Sequence, residues 1–356
     1  MNFRFFRLII LVSLCCTFGG RGLCDTPAAP DALVLANGAI RLVVQRDGGL
    51  ITELALEPDG PNWLATRAPG AAGPYAHFLC YDRWGPPDEA AKRQGIPFHG
   101  EAARTPWTWQ SATTKQLDMT VRLPVSGLGA RRSMQLAAKS PVFRITNTFI
   151  NPTAQVRSYN AVEHVMLAIQ ATGPDTHVAT NADRGFLQRN GRVVPNSEFA
   201  WPRAHFGDRT WDFRNEVLIN GRVMAALVFP ENEDWGWVCI SNQVTGEALG
   251  YVWRQADYPW LILWADCQKG RIVSRAIEPG TTGLHRPMPE VVAAGSKLGR
   301  PLLCHLEPGE MRRHQMWGFL VQLPAGSTAV DDVKSEGNML QIQFNAGVEP
   351  LNLPLN

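Results

Sequence analysis

From residue 32 onward apolar positions recur with a period of two or in short runs, broken by turn residues, a pattern that predicts strands rather than helices. Residues 33–35, 40–45 and 51–56 are separated by Asn37-Gly38 and by Asp47-Gly48-Gly49, which are hairpin turn signals. The rhythm continues through 117–123, 133–136, 142–149 and 156–169, then through 217–219, 223–230, 236–241, 249–253, 260–264 and 316–323. Gly, Pro, Asn or Asp stands at the breaks. Many short strands of this kind predict an all-β fold, a large antiparallel β-sandwich. Helix is a minor component: the best candidate, 88–93, fits between Pro87 and Gly95.

Two stretches depart from the rhythm. Residues 65–104 and 184–214 are irregular for longer than hairpin loops run, and such loops in a compact domain usually carry function, so they are expected to frame a cleft. Beyond Ala325 the chain turns more polar and ends in Pro350 and Pro354, so 326–356 reads as a strand or loosely held tail. With no fixed-period repeat and no low-complexity block, 30–325 is expected to be one sandwich domain.

Composition closes off some functions. Hydrophobic residues are 45% of the 356 and charged residues 19%, an ordinary globular balance that supports a full core. The formal net charge is +2 and the basic residues are scattered, so no nucleic-acid partner is expected. The 12 Trp against 5 Tyr are unusual. An indole offers a flat apolar face to the C–H side of a sugar ring, although most of these Trp residues are expected in the core.

Arg4 and Arg7 precede an apolar run over 8–18, broken by Gly19, Gly20 and Gly22, which is the pattern of a secretory signal over 1–24 with cleavage near Cys24. The run is too short to cross a bilayer, and no later segment is both long and charge-free, so no spanning segment is expected. Export to the periplasm or the exterior follows. A lipid anchor at Cys15 or Cys16 is the lesser alternative, because Leu14 or Cys15 stands where a small residue is wanted. Cys80, Cys239, Cys267 and Cys304 lack metal-ligand spacing, so no metal is expected, and their pairing stays open between disulfides and free thiols.

Five clusters carry candidate chemistry. The first is Leu35-Ala36-Asn37-Gly38 with Asp47-Gly48-Gly49-Leu50-Ile51, and the second is Cys80-Tyr81-Asp82-Arg83-Trp84. The third, Pro97-Phe98-His99-Gly100-Glu101, is followed by Arg104, Trp107 and Trp109. The fourth is Tyr159-Asn160-Ala161-Val162-Glu163-His164-Val165-Met166-Leu167. The last is Arg275-Ala276-Ile277-Glu278-Pro279-Gly280-Thr281-Thr282, with Leu306-Glu307-Pro308-Gly309-Glu310 beyond it. In this order they resemble the aldose 1-epimerase family, the galactose mutarotases and their relatives, over about 32–323.

The resemblance implies a mutarotase-like sandwich that interconverts the α and β anomers of an aldose by ring opening, without a cofactor. Glu278 would be the general base and His164 the general acid, with His99, Arg83, Arg104 and Trp107 binding the sugar. The residue chemistry is compatible. A guanidinium fork bridges adjacent hydroxyls, and a neutral imidazole donates to one hydroxyl and accepts from another. Pro279 holds the preceding Glu278 in extended geometry. On a strand Val162, His164 and Met166 share one face, and Glu163 and Val165 the other.

The family's mid-chain acidic residue does not settle between Asp208, Asp212 and Asp234, and galactose preference does not transfer. Two other readings of the fold stay open: a carbohydrate-binding module without turnover, and a polysaccharide lyase or hydrolase. A hydrolase would need a second carboxylate opposite Glu278, for which Glu101, Glu163 and Asp257 are available. The expected partner is a mono- or oligosaccharide, and the chain is expected to be a monomer or homodimer.

Overall fold

The computed structural model describes residues 30–67, 73–207, 209–215 and 220–355. The leader expected over 1–24 and the strand expected over 217–219 lie outside these residues. Two antiparallel sheets dominate. The larger, of 12 strands among the described residues, runs Ala32–Ala36, Ile40–Gln45, Ile51–Leu56, His77–Asp82, Arg157–Leu167, Arg271–Gly280, Trp260–Gln268, Gly221–Val228 and Arg184–Arg189, with short strands added at its far edge and on Arg157–Leu167. The other, of eight, runs Thr176–Thr180, Trp235–Asn242, Glu247–Arg254, Met311–Gln322, Val142–Ile150, Gly129–Leu136, Gln116–Arg122 and Thr108–Ala112. This is the all-β sandwich predicted from the pattern.

The stretches expected as long loops hold regular elements. Residues 65–104 contain the strand His77–Asp82 and the helix Glu89–Arg93, whose first turn is capped by Asp88 accepting from the amides of Ala90 and Ala91. His77–Asp82 escapes a periodicity search because all six of its positions are buried. Residues 184–214 contain Arg184–Arg189 and the hairpin of Arg203–Phe206 with Arg209–Asp212. A second helix, Met288–Ala294, carries Pro289 in its first turn. Among the described residues Cys80, Cys239, Cys267 and Cys304 form no disulfide.

Alternation along the central strands of the larger sheet divides two apolar layers. Val165, Leu167, Val223, Ala225, Leu227, Leu261 and Ile277 face the core between the sheets. Val162, Met224, Ala226, Val228, Trp260 and Ile262 belong to a second buried cluster with Phe78 and Trp84. Burial on both faces explains the unbroken apolar runs at 223–229 and 260–263.

A charged network crosses between the sheets. Glu163, on the larger sheet, receives Arg132 Nη1 and Nη2 from Gly129–Leu136 at 2.7 and 2.9 Å, together with the Asn147 amide from Val142–Ile150. His77 Nε2 donates to its other oxygen at 2.8 Å. Glu163, Arg132 and His77 are all buried. Burial alone would raise the Glu163 carboxyl, but the Arg132 charge and the His77 bond outweigh it and hold the group well below the usual carboxylate range.

Of the two readings of 326–356, strand or loosely held tail, the structure has strands, which form a third sheet. Val330–Glu336, Met339–Phe344 and Leu351–Pro354 pair antiparallel. Val330, Val333, Leu340, Ile342, Phe344 and Leu353 pack with Val142, Trp237, Cys239, Val252 and Phe319 of the eight-stranded sheet. This places the segment in one compact unit with the sandwich rather than loosely beside it.

Removing one partner of the inter-sheet pair strands a buried charge. Arg132→Met is expected to cost about 3–5 kcal/mol in chemical denaturation, and the double change with Glu163→Leu should recover most of it. Because the Glu163 carboxyl is depressed in the folded state, its contribution is present above the ordinary carboxylate pKa and is lost as pH falls below about 4.5. In Glu163→Gln that acid-side loss should be smaller, as read from melting temperature against pH.

Candidate active site

The larger sheet turns its second face toward a cleft of about 790 Å³, within the range of small-molecule sites. Parity decides which side chains form its floor: Phe78, His164, Met166, Ser274 and Glu278 line it, with Met224 and Trp264 farther along the sheet. Trp84, Phe98, His99 and His285 come from loops at its wall.

Glu278 and His164 meet on this floor, as the clusters led us to expect. His164 Nε2 lies 3.4 Å from Glu278 Oε1. The second oxygen, Oε2, accepts from Trp84 Nε1 at 2.8 Å. Strand pairing sets Phe78 opposite His164, and the two rings stack with centroids 4.4 Å apart. Both groups are almost sealed from solvent, at 1% exposure for Glu278 and 7% for His164.

Sealing divides the proton between them. Burial pushes the Glu278 carboxyl up to about 8, opposed by the Trp84 N–H, which favours the ionised form. Burial pulls His164 down to about 3, helped by the neighbouring His285 and His77. Between these values the pair carries one proton, on the carboxyl, facing a neutral imidazole. That arrangement can give a proton to one oxygen and take one from another.

His99 stands edge-on to His164, with ring centroids 5.1 Å apart. Its Nδ1 accepts from the Gly85 amide at 3.2 Å, which leaves the ring N–H on Nε2. Burial, the charges of His164 and His285, and that of Arg104 all hold this imidazole well below its usual range. The turn beneath it needs glycine: Gly100 has φ +76°, and a β-carbon there would stand 2.3 Å from the Tyr81 carbonyl oxygen.

The other expected sugar-binding residues divide. Arg104 lines the cleft, but Arg83 and Trp107 do not. Arg83 turns to its neighbour, Nε 3.0 Å from Asp82 Oδ2, where Asp82 takes φ +82° at the end of the strand. Trp107 is in the core, its Nε1 donating to the Ala102 carbonyl at 3.0 Å.

Sequence reasoning did not assign roles to Phe78, Trp84 or His285. The His285 ring stands edge-on to Trp84 at 4.6 Å, and its amide donates to the Gln188 side chain at 3.0 Å. Gln188 also holds the Gly283 carbonyl at 2.9 Å, so one buried side chain fixes this loop. No sequence periodicity marks such a loop position.

Among the described residues Glu278 is the one carboxyl that lines the cleft. Glu101 accepts from the Val125 and Ser126 amides, Glu163 is in the inter-sheet network, and Asp257 accepts from the Gln315 amide. Asp212 pairs with Arg214, Asp234 pairs with Arg254, and Asp208 lies outside the described residues. No group of three or more His, Cys, Asp or Glu suited to a metal ion occurs among the described residues.

No protein-family model matches the chain, and no curated protein matches it. Solved structures do. A galactose mutarotase related enzyme from Lactobacillus acidophilus superposes with a TM-score of 0.64 at 12% identity, over 83% of this chain and 98% of that one. A galactose mutarotase-like protein from Clostridium acetobutylicum gives 0.60 at 13% identity, over 82% and 95%. Another from Lactobacillus casei gives 0.57 at 12%, over 82% and 100%. At such identities the likeness concerns the fold, and the chain is built on the galactose mutarotase-like sandwich.

Proposed function

We propose that this protein is an aldose 1-epimerase whose acid–base pair is Glu278 and His164. The observation that carries the reading is their contact: the cleft's carboxyl and an imidazole, 3.4 Å apart on neighbouring strands inside a sealed floor. The mutarotase-like sandwich supports it.

In the reaction one member of the pair removes the proton from the anomeric hydroxyl as the other protonates the ring oxygen. The C1–O5 bond breaks, C1 becomes an aldehyde carbonyl, and the C5 oxygen becomes a hydroxyl. Rotation about C1–C2 and reclosure, with the proton transfers reversed, give the other anomer. The proton total is the same whether Glu278 begins as base and His164 as acid or the reverse, so one singly protonated pair serves both directions. His99, with its N–H on Nε2, and Arg104 would hold hydroxyls.

A hydrolase with paired carboxylates lacks support, since no second carboxyl lines the cleft among the described residues. The basic start and apolar run at 8–18 support export, so we place the sugars it meets outside the inner membrane.

Polarimetry of freshly dissolved aldoses tests the proposal. Protein without residues 1–24 should speed mutarotation above the spontaneous rate for at least one aldose, and Glu278→Gln should lower kcat by about 10²–10⁴-fold with an unchanged circular dichroism spectrum. Sugar affinity without any acceleration would instead mark a binding protein.

The pH profile is a second check. As pH rises through about 8 the pair loses its proton, so kcat/KM should fall on that side, while the acid limb lies near 3. Trp84→Phe removes a bond that favours the ionised carboxyl, so the alkaline limb should move to higher pH.

A further inference from the structure

The cleft is charged unevenly. Arg67, Arg104 and Arg222 line it against the single carboxyl of Glu278. Arg222 is compensated, its Nε 3.6 Å from Asp266 Oδ2. Arg67 and Arg104 form no ion pair among the described residues. Residues 68–72, which lie outside the described residues, contain no acid.

Both guanidinium groups come to the same place. Arg67 Nη2 donates to the Gly73 carbonyl at 3.0 Å, and its guanidinium lies 4.6 Å from the centroid of the Tyr75 ring, which holds an otherwise solvated side chain in one posture. Arg104 Nη2 would stand 3.2 Å from a β-carbon on Gly73, whose φ of +104° already favours glycine. Like charges gathered at one residue repel, whereas an anion received between them is attracted to both and accepts from two forks of N–H donors. Asp47 lines the adjoining hollow together with Gln45, Arg67, Gly73 and Arg104, but forms an ion pair with neither arginine among the described residues. His99 and Glu278 line the same cleft as Arg67 and Arg104, so this corner adjoins the reaction centre.

We infer that Arg67 and Arg104 form a subsite for an anionic group on the sugar, so that the preferred substrate is an acidic aldose: a uronic acid, or a phosphate or sulfate ester carrying its charge away from the anomeric carbon. The inference rests on reading the cleft as a sugar site and adds the class of sugar. Compensating Arg222 while leaving this pair open gives the cleft a charged end beside its neutral acid–base floor, which fixes which end of the ring meets Glu278.

The test is intrinsic Trp fluorescence of Glu278→Gln, so that turnover does not enter, titrated with glucose, galactose, glucuronate, galacturonate and glucose 6-phosphate. At least one acidic sugar should bind about tenfold or more tightly than its neutral counterpart. Arg67→Gln with Arg104→Gln should bring that ratio to about one, as should raising salt to about 0.5 M. The uronates and the phosphate ester, compared directly, separate the two sources of charge. A melting curve of the double variant establishes that it is folded.

A ratio near one before any arginine is removed, a ratio that survives removal of both, or no measurable acidic-sugar binding would overturn the inference. Its failure is distinguishable from that of the epimerase reading. Accelerated mutarotation of neutral sugars with a ratio of one removes the subsite alone, and tight acidic-sugar binding without acceleration removes the epimerase alone.

Discussion

The inward turn of Glu163 sets the parity on which the site depends. Its carboxylate is held in the interior by Arg132 and Asn147, on two strands of the opposite sheet, and by His77 on the neighbouring strand. With Glu163 pinned between the sheets, His164 has to face the other way. A slip of one residue would put the imidazole in the core and a bare carboxylate over the cleft. Buried ion pairs of this kind add little net stability against a well-packed apolar alternative. Here the geometric outcome is register: the same atoms that join the sheets aim His164 outward.

The cleft floor inherits its electrostatics from the same layering. Phe78, Met166 and Met224 surround the acid–base pair with apolar surface, so neither Glu278 nor His164 is well hydrated in its charged form. Among the described residues Trp84 supplies the one direct hydrogen bond to the carboxyl, and it is itself braced edge-on by the His285 ring. Burial thereby moves the two pKa values apart in opposite directions, leaving a carboxylic acid and a neutral base side by side at neutral pH.

What was legible in the sequence follows from periodicity. Ile40–Gln45 and Ile51–Leu56 begin and end where their apolar pattern does, because each has a glycine turn beside it and the first alternates strictly between buried and half-buried positions. The faces of Val162, Glu163, His164, Val165 and Met166 were readable for the same reason. Arg83 was not placed correctly from the resemblance: its guanidinium is taken by the neighbouring Asp82 carboxylate, and alternation from Phe78 turns position 83 away from the cleft. Trp107 lies in the core, as most of the Trp residues were expected to, while its neighbour Arg104 reaches the cleft. His285 and Trp84 sit on loops whose positions are set by long-range partners such as Gln188, 97 residues from His285 in sequence.

The three-stranded C-terminal sheet bears on how the chain comes to be made. Trp237, Val252 and Phe319 point away from the central core and are covered by Val330, Leu340, Ile342 and Phe344. These covering residues are synthesised after every strand of the two large sheets. Until they arrive, an otherwise complete sandwich presents a broad apolar face to its surroundings, the kind of surface that chaperones bind and that drives aggregation. The three-stranded sheet is therefore a completion seal, and a product terminated before it would be the species most exposed to quality control.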